Sequence, residues 1–362
     1  MLRAGLFGFP SSGKTALFQL LTSAREAPRQ GGKAEANVGV SRVPDERLDR
    51  LTALFKPRKH VPATVEFADV AGTAGAQTGA KALLDLAPFR NADALLHVVR
   101  MFRDPAVPHP AGSVDPARDV RAMEDELILA DLGVVERRLE RLERDLKKGA
   151  NPDLRKEHEI LAQCRAALED GQPLRALRFA GEDAKRLRGF QFLSAKPLLL
   201  VLNLDEADLP QADDAVRLAA LESFMSGAAT RAVPICAKIE LEIAQLDAAD
   251  AAAFMADLGL KESGLDRVIR ASYDLLGYIS FFTVGEDENR AWSIPRSTTA
   301  VVAAGEIHSD ISRGFIRAEV VRYEQLIARG SLAACREHGE LRLEGKDYIV
   351  VDGDVINFRH AT

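Results

Sequence analysis

Gly8-Phe9-Pro10-Ser11-Ser12-Gly13-Lys14-Thr15 fits the phosphate-binding pattern G-x-x-x-x-G-K-[ST]. The apolar run Leu2 to Phe7 before it reads as a buried first strand, and Ala16-Leu17-Phe18-Gln19-Leu20-Leu21 after it reads as the start of a helix. That strand–loop–helix setting separates a phosphate cradle from a chance glycine-rich turn. In such a cradle the backbone N–H groups wrap phosphate oxygens, Lys14 reaches the β/γ-phosphates and the Thr15 hydroxyl ligates Mg²⁺. The candidate phosphate-binding residues are therefore Gly8, Phe9, Pro10, Ser11, Ser12, Gly13, Lys14, Thr15 and Ala16.

Further landmarks follow in the order that P-loop switch proteins require. Thr64-Val65-Glu66-Phe67 leads into Asp69-Val70-Ala71-Gly72, a D-x-x-G at a strand end. An Asp there holds Mg²⁺ through water, and the N–H of Gly72 can sense a γ-phosphate. Ser23 to Ala36 reads as a mobile loop near the nucleotide, and Thr73 to Ala80 as a switch loop. Asp93 to Val99 is another buried strand, within which His97 reads as a core histidine. His109 lies in the Pro/Gly loop Pro108 to Gly112, and its residues alone describe a surface histidine without a role. Pro197 to Leu202 returns to a strand that ends in Asn203-Leu204-Asp205-Glu206, where guanine-reading proteins carry N-K-x-D. Leu204 in place of Lys and Glu206 in place of Asp weaken guanine selection, so adenine is the better expectation. Ala237-Lys238 stands where a base-contacting loop belongs.

The 362 residues suffice for two or three domains, and 47% hydrophobic with 28% charged residues is ordinary for a soluble protein. A formal net charge of −6 gives no overall basic field for nucleic acid. Cys164, Cys236 and Cys335 lie far apart, which speaks for a reducing compartment and against a disulfide frame or a zinc site. The first residues read directly into a strand and no long apolar run follows, so a cytoplasmic protein with no membrane partner is expected. Leu132, Val135, Leu139, Leu142 and Leu146 form a 3,4,3,4 seam within the helical stretch Arg121 to Lys148. Gly149 to Pro152 breaks it, and Leu154, Leu161, Cys164 and Leu168 support a return helix. Ala248 to Leu276 reads as helical. From Ile279 short apolar runs alternate with turns, as in a small β domain with one helix. The expected domains are a nucleotide domain at 1–120 and 196–278, an inserted helical hairpin at 121–195, and a β domain at 279–362.

Several stretches resemble the Obg-like ATPases, the YchF family of P-loop proteins. They include Asn37-Val38-Gly39-Val40 with Val43-Pro44-Asp45-Glu46-Arg47-Leu48, His97-Val98-Val99-Arg100, Glu126 to Leu132, and Asn203-x-x-Glu206. In the last domain they include Arg290-Ala291-Trp292, Gly305 to Asp310, Gly314 to Val320 and Arg342 to Val350. The resemblance implies an α/β fold: a P-loop G domain, an inserted coiled-coil hairpin and a C-terminal TGS-like β-grasp domain. It implies ATP preferred over GTP, slow Mg²⁺-dependent hydrolysis, and engagement of the ribosome, its rRNA or tRNA through the hairpin and the TGS-like domain, with a link to stress. It sets Asn203, Leu204, Glu206 and Ala237 at the base, Thr15 and Asp69 at Mg²⁺, and His109 as the histidine that assists hydrolysis.

Departures from the family pattern cluster around the γ-phosphate. Ser11 stands at the asparagine position of the family P-loop, which argues against K⁺-assisted chemistry. Lys33 stands where a switch threonine would ligate Mg²⁺, and Thr73 replaces an apolar residue. The leading expectation is a slow ATPase acting as a nucleotide-dependent switch. The rivals are a nucleotide-gated binding module with little or no hydrolysis, and a GTPase with relaxed base choice.

Overall fold

The computed structural model describes residues 2–22, 37–69, 86–149, 151–225, 227 and 229–361. Lys33, Gly72, Thr73 and both expected switch loops lie outside the described residues. The first seven strands are β1 (Arg3–Phe7), β2 (Asn37–Arg42), β3 (Lys59–Val61), β4 (Thr64–Asp69), β5 (Ala94–Arg100), β6 (Leu198–Asn203) and β7 (Thr230–Ile235). The last five are β8 (Tyr278–Thr283), β9 (Glu288–Pro295), β10 (Phe315–Arg322), β11 (Arg342–Glu344) and β12 (Asp354–His360). By contacts the chain forms two compact units. One holds Leu2–Val40 with Glu66–Leu275, and the other Ser41–Val65 with Leu276–Thr362.

The first unit is built on a sheet with strand order β2-β4-β1-β5-β6-β7. Strands buried on both faces read as continuous apolar runs, and every residue of β5 (ALLHVVR) and of β6 (LLLVLN) is buried. β1 pairs in parallel with β4 and β5, matching Leu6 with Asp69 and Phe7 with His97. β5, β6 and β7 continue in parallel, matching Arg100 with Asn203 and Asn203 with Ile235. This register places the carboxyl ends of β1, β4, β5, β6 and β7 along one edge. Open parallel sheets bind their ligands at that edge, where the strand order reverses. Helix α1 (Lys14–Thr22) leaves the P-loop and buries Leu17, Phe18, Leu20 and Leu21.

Helix α2 (Glu46–Phe55) belongs to the second unit and is taken up below. The hairpin pairs α3 (Pro116–Lys148) with α4 (Pro152–Glu169). The heptad spacing predicts a helix from Arg121, but α3 begins five residues earlier. Asp115 caps it by accepting from Arg118 N at 3.0 Å, and proline is tolerated in a first turn. Val135, Leu139 and Leu142 pack with Leu161, Cys164 and Leu168 as the seam predicts, while Leu132 is only partly buried. The buried carboxylate of Asp131 on α3 accepts from Leu193 N at 3.0 Å, Ser194 N at 2.7 Å and Ser194 Oγ at 2.8 Å. These bonds fix the helix to the chain that returns to β6.

The second unit carries a mixed sheet ordered β11-β10-β12-β8-β9-β3. β8 and β9 form an antiparallel hairpin, β12 runs parallel to β8, and β10 pairs antiparallel with β12. Phe281, Ile294, Val320 and Ile356 build its core with Ala300, Ala303 and Ala304 of the helix Ala300–Ile307, a β-grasp arrangement. The expectation of one helix here is corrected. Three more short helices occupy Ser309–Arg313, Tyr323–Arg329 and Leu332–Glu337, each of seven residues or fewer and too short to show a period.

Segment 41–65, which the sequence reading put in the nucleotide domain, makes its contacts in this second unit. β3 pairs in parallel with β9, matching Lys59 with Glu288 and Val61 with Arg290. α2 buries Leu48 and Leu51, and Arg47 Nη1 donates to Asp352 Oδ2 at 2.8 Å. The chain thus passes between units inside β2 and again inside β4. Among the described residues no helix is long and apolar enough to cross a membrane.

Candidate functional site

The P-loop turns between β1 and α1 with three positive φ angles: Gly8 at 144°, Ser11 at 60° and Gly13 at 97°. A side chain at Gly8 would stand 2.5 Å from Val98 O, and one at Gly13 would stand 2.3 Å from Asn203 Nδ2. Both glycines are therefore required by close approach as well as by backbone angle. Lys14 Nζ donates to Gly8 O at 3.0 Å and Phe9 O at 2.7 Å, so the ammonium is held inside the turn. Burial lowers the pKa of Lys14, and the charge of Asp69 opposes that shift. Burial likewise raises the pKa of Asp69, and Lys14 opposes it. Lys14 at the start of α1 and Asp69 at the end of β4 thus set one cation and one anion within electrostatic reach of each other. Thr15 is exposed at the N-terminus of α1, where the helix dipole and free N–H groups favour anions. Ser12 is buried, Ser11 exposed, and Pro10 exposed with Phe9 half-buried beside it.

A cavity of about 510 Å³ adjoins the loop, lined by Gly13, Ala16, Phe102, Leu204, Glu206 and Ala237 among others. It brings together the expected base-side residues Asn203, Leu204, Glu206 and Ala237, which come from the ends of β6 and β7. Their roles differ from that reading in one respect. Asn203 was expected to face a base, but its Nδ2 donates to Ser12 O at 3.0 Å and its Oδ1 accepts from Ala237 N at 3.0 Å. Its amide braces the P-loop against the Ala237 loop. Leu204 is 3% exposed and joins the core. Glu206 is half exposed, and its Oε2 meets Lys238 Nζ at 3.2 Å. That hydrogen bond raises the pKa of Lys238.

His109 is buried, which corrects the surface reading. Its Nε2 lies 2.9 Å from Asp119 Oδ2, and its Nδ1 accepts from Ala111 N at 3.1 Å. The carboxylate of Asp119 is in turn held by Arg118, whose Nε and Nη2 donate at 3.0 and 2.8 Å. The ring also packs on Phe9 of the P-loop, with centroids 5.8 Å apart. A Pro-His-Pro-Ala-Gly string signals a loop, and only the fold shows that the loop turns inward. His97 is buried as expected, stacked on Phe7 at 4.8 Å. Burial first, and then the charge of Lys14, push its pKa down to about 3.

Three comparisons bear on this arrangement. A family model, YchF-GTPase_C, described as a protein of unknown function (DUF933), matches residues 278–361. Along 362 residues the chain is 42% identical to the ribosome-binding ATPase YchF of Bacillus subtilis, covering 99% of each. It is 40% identical to the ribosome-binding ATPase YchF of Escherichia coli O157:H7, covering 98% of each. The solved YchF GTPase of Schizosaccharomyces pombe superposes with a TM-score of 0.84 at 30% identity, covering 99% of this chain and 97% of that one. The chain belongs to the YchF family.

Within this YchF-family site the donor set fits Mg²⁺. Thr15 offers an exposed hydroxyl and Asp69 a carboxylate, both hard oxygen donors, and Mg²⁺ takes its other ligands from phosphate and water. K⁺ fits less well, since Ser11 replaces the longer amide that the family pattern carries there. Gly72, expected at the γ-phosphate, lies outside the described residues. Sequence reasoning missed Phe102, and it placed Arg100 and Lys238 in landmark stretches without giving either a role of its own. Phe102, two residues beyond Arg100, was the available signal for an aromatic in the cavity wall.

Proposed function

We propose that this chain binds ATP with Mg²⁺ at the P-loop, hydrolyses it slowly, and uses its nucleotide state to govern engagement of the ribosome. The observation that carries the ATPase reading is the convergence of one intact cradle holding Lys14, the Asp69 carboxylate at the end of β4 and a base-sized cavity at the same sheet edge. Backbone N–H groups and Lys14 neutralise phosphate charge, and Thr15 and Asp69 would hold Mg²⁺, which would supply further neutralisation when bound. No covalent intermediate is needed. His109 orients the attacking water through Nε2, a buried ring nitrogen without a hydrogen-bond partner that lies 2.9 Å from Asp119 Oδ2.

Adenine suits the cavity better than guanine. Reading guanine needs a carboxylate free to accept from N1–H and N2–H₂, whereas Glu206 is paired with Lys238 and Leu204 is apolar. Phe102 offers a stacking face on the same wall. The relatives named as ribosome-binding ATPases support the partner. A ribosome partner also suits a cytoplasmic protein. Arg137, Arg141, Arg144 and Lys148 form an exposed stripe on α3, which supports the hairpin as one contact with rRNA or tRNA. The TGS-like unit is the other.

A second reading, a nucleotide-gated binding module with negligible turnover, is favoured by one feature: His109 is buried, with Nδ1 bonded to Ala111 N and Nε2 turned toward Asp119 Oδ2 at 2.9 Å, where it makes no hydrogen bond. Single-turnover hydrolysis with and without ribosomes separates the two. Calorimetry with ATP and GTP, followed by ribosome co-sedimentation with a non-hydrolysable ATP analogue, tests the switch. Equal co-sedimentation in every nucleotide state would sink it.

A further inference from the structure

Arg100 ends β5 and is 3% exposed. A buried guanidinium is costly unless its donors are met, and a carboxylate is the usual partner. Arg100 instead meets backbone carbonyls and one ring. Its Nε donates to Phe102 O at 3.2 Å, and its Nη2 to Val107 O at 2.7 Å and to Asp104 O at 3.4 Å. Its Nη1 reaches Ser11 O at 3.5 Å, and its central carbon sits 4.4 Å over the Phe102 ring.

These carbonyls belong to two loops. Ser11 is the P-loop residue with the left-handed φ of 60°, and its neighbour Ser12 is held by Asn203 from the next strand. Phe102, Asp104 and Val107 line the path from β5 to His109, two residues beyond Val107. A planar fork with five donors can span both loops at once, while an ammonium on a flexible stem cannot hold the same set of directions.

We propose that Arg100 is a positioning residue that sets where His109 stands relative to the P-loop, and so governs turnover rather than nucleotide affinity. The inference rests on the reading of this site as an ATPase assisted by His109. A packing role alone would disturb nucleotide binding and turnover together, because Arg100 sits beneath the cradle and beside the cavity. A positioning role separates them.

The test measures ATP turnover and ATP affinity of the full chain, with and without ribosomes. The proteins are the wild type, Arg100→Gln, Arg100→Lys, His109→Ala, and the double variant Arg100→Gln with His109→Ala. Arg100→Gln is expected to lower kcat about 10- to 100-fold, the scale of an ångström-sized misplacement. Its dissociation constant for ATP should stay within about twofold, an energy difference of only a few tenths of a kcal/mol. Arg100→Lys should fall between it and the wild type. The double variant should be no slower than His109→Ala, as expected of residues that act as one unit. A parallel fall of affinity and kcat, a multiplicative loss in the double variant, or a wild-type kcat in His109→Ala each overturns the inference while leaving the ATPase reading intact. Absence of turnover in the wild type overturns that reading and the inference with it. If Arg100→Gln does not fold, Arg100→Lys carries the same comparison. Failure of both to fold makes Arg100 a stability residue and also overturns the inference.

Discussion

Lys14 and Asp69 are each disfavoured as charges by burial, and each lessens the other's cost. Removing the cation leaves the cradle with backbone donors alone, so Lys14→Ala should bring ATP binding below detection in calorimetry. Normal binding by that variant would mean that the phosphates sit elsewhere. At the base side, Lys238 holds the Glu206 carboxylate. Lys238→Ala frees that carboxylate to accept from guanine, and the affinity for GTP relative to ATP should rise about 2- to 10-fold. An unchanged ratio would show that Glu206 does not meet the base edge. His97 gives a pH signature. Its folded pKa of about 3 lies below the ordinary 6.5, so between those values the unfolded chain binds a proton that the folded one refuses. The proton excess is on the unfolded side, so stability contributed by His97 is present above about pH 6.5 and declines as pH falls toward 3, by about 1.4 kcal/mol per pH unit at most. Urea titrations at several pH values should show His97→Leu losing less stability than the wild type between pH 6.5 and 4.5. Parallel declines would mean that His97 is not buried neutral.

The hairpin joins α3 and α4 through residues that are almost wholly enclosed, Leu142 and Leu161 being 0% exposed. Leu142→Ala leaves a cavity that neighbouring helix turns cannot fill, costing about 2–5 kcal/mol. Because the seam lies outside the cradle, ATP affinity should stay within about twofold while ribosome co-sedimentation weakens. Loss of ATP binding in this variant would show the hairpin to be part of the nucleotide fold rather than an attachment to it. The elements of the hairpin were legible because a 3,4 spacing repeated over several turns has one good structural solution. β5 and β6 were legible for a similar reason, as unbroken apolar runs can only be buried strands or helices. The loops were not. Pro108 to Gly112 carries no period, so nothing local says that Arg118 and Asp119 of α3 lie ready to receive His109. Asn203 misled because its place in the order of motifs was right while its amide turned to Ser12 and Ala237. Arg100 stands in a family stretch, but the carbonyls it meets lie up to 89 positions away, which no spacing rule records.

At the scale of the molecule, segment 41–65 separates what the sequence suggests from what the contacts make. It lies between the two expected switch stretches, yet it completes the sheet of the C-terminal unit. Leu48, Leu51, Leu54 and Phe55 recur at helical spacing, but that pattern does not say which core receives Leu48 and Leu51. Arg47 is the residue that discriminates. Its guanidinium donates to Asp45 at 2.9 and 2.8 Å and to Asp352 at 2.8 Å, and lies 5.2 Å over the Phe282 ring. Asp352 also accepts from Ser280 N at 2.9 Å, so one carboxylate joins α2 to the start of β8. Arg47→Ala removes the charge-assisted bonds to Asp352 and the cation over Phe282, a loss of about 1–3 kcal/mol. If segment 41–65 works as part of the C-terminal unit, amide exchange in Arg47→Ala should accelerate in β8, β9 and β12 and leave β1, β5 and β6 at wild-type protection. ATP affinity should then be unchanged within about twofold, since the cradle is built entirely from the other unit. Acceleration confined to β1 and β5 would return segment 41–65 to the nucleotide domain and reverse the division.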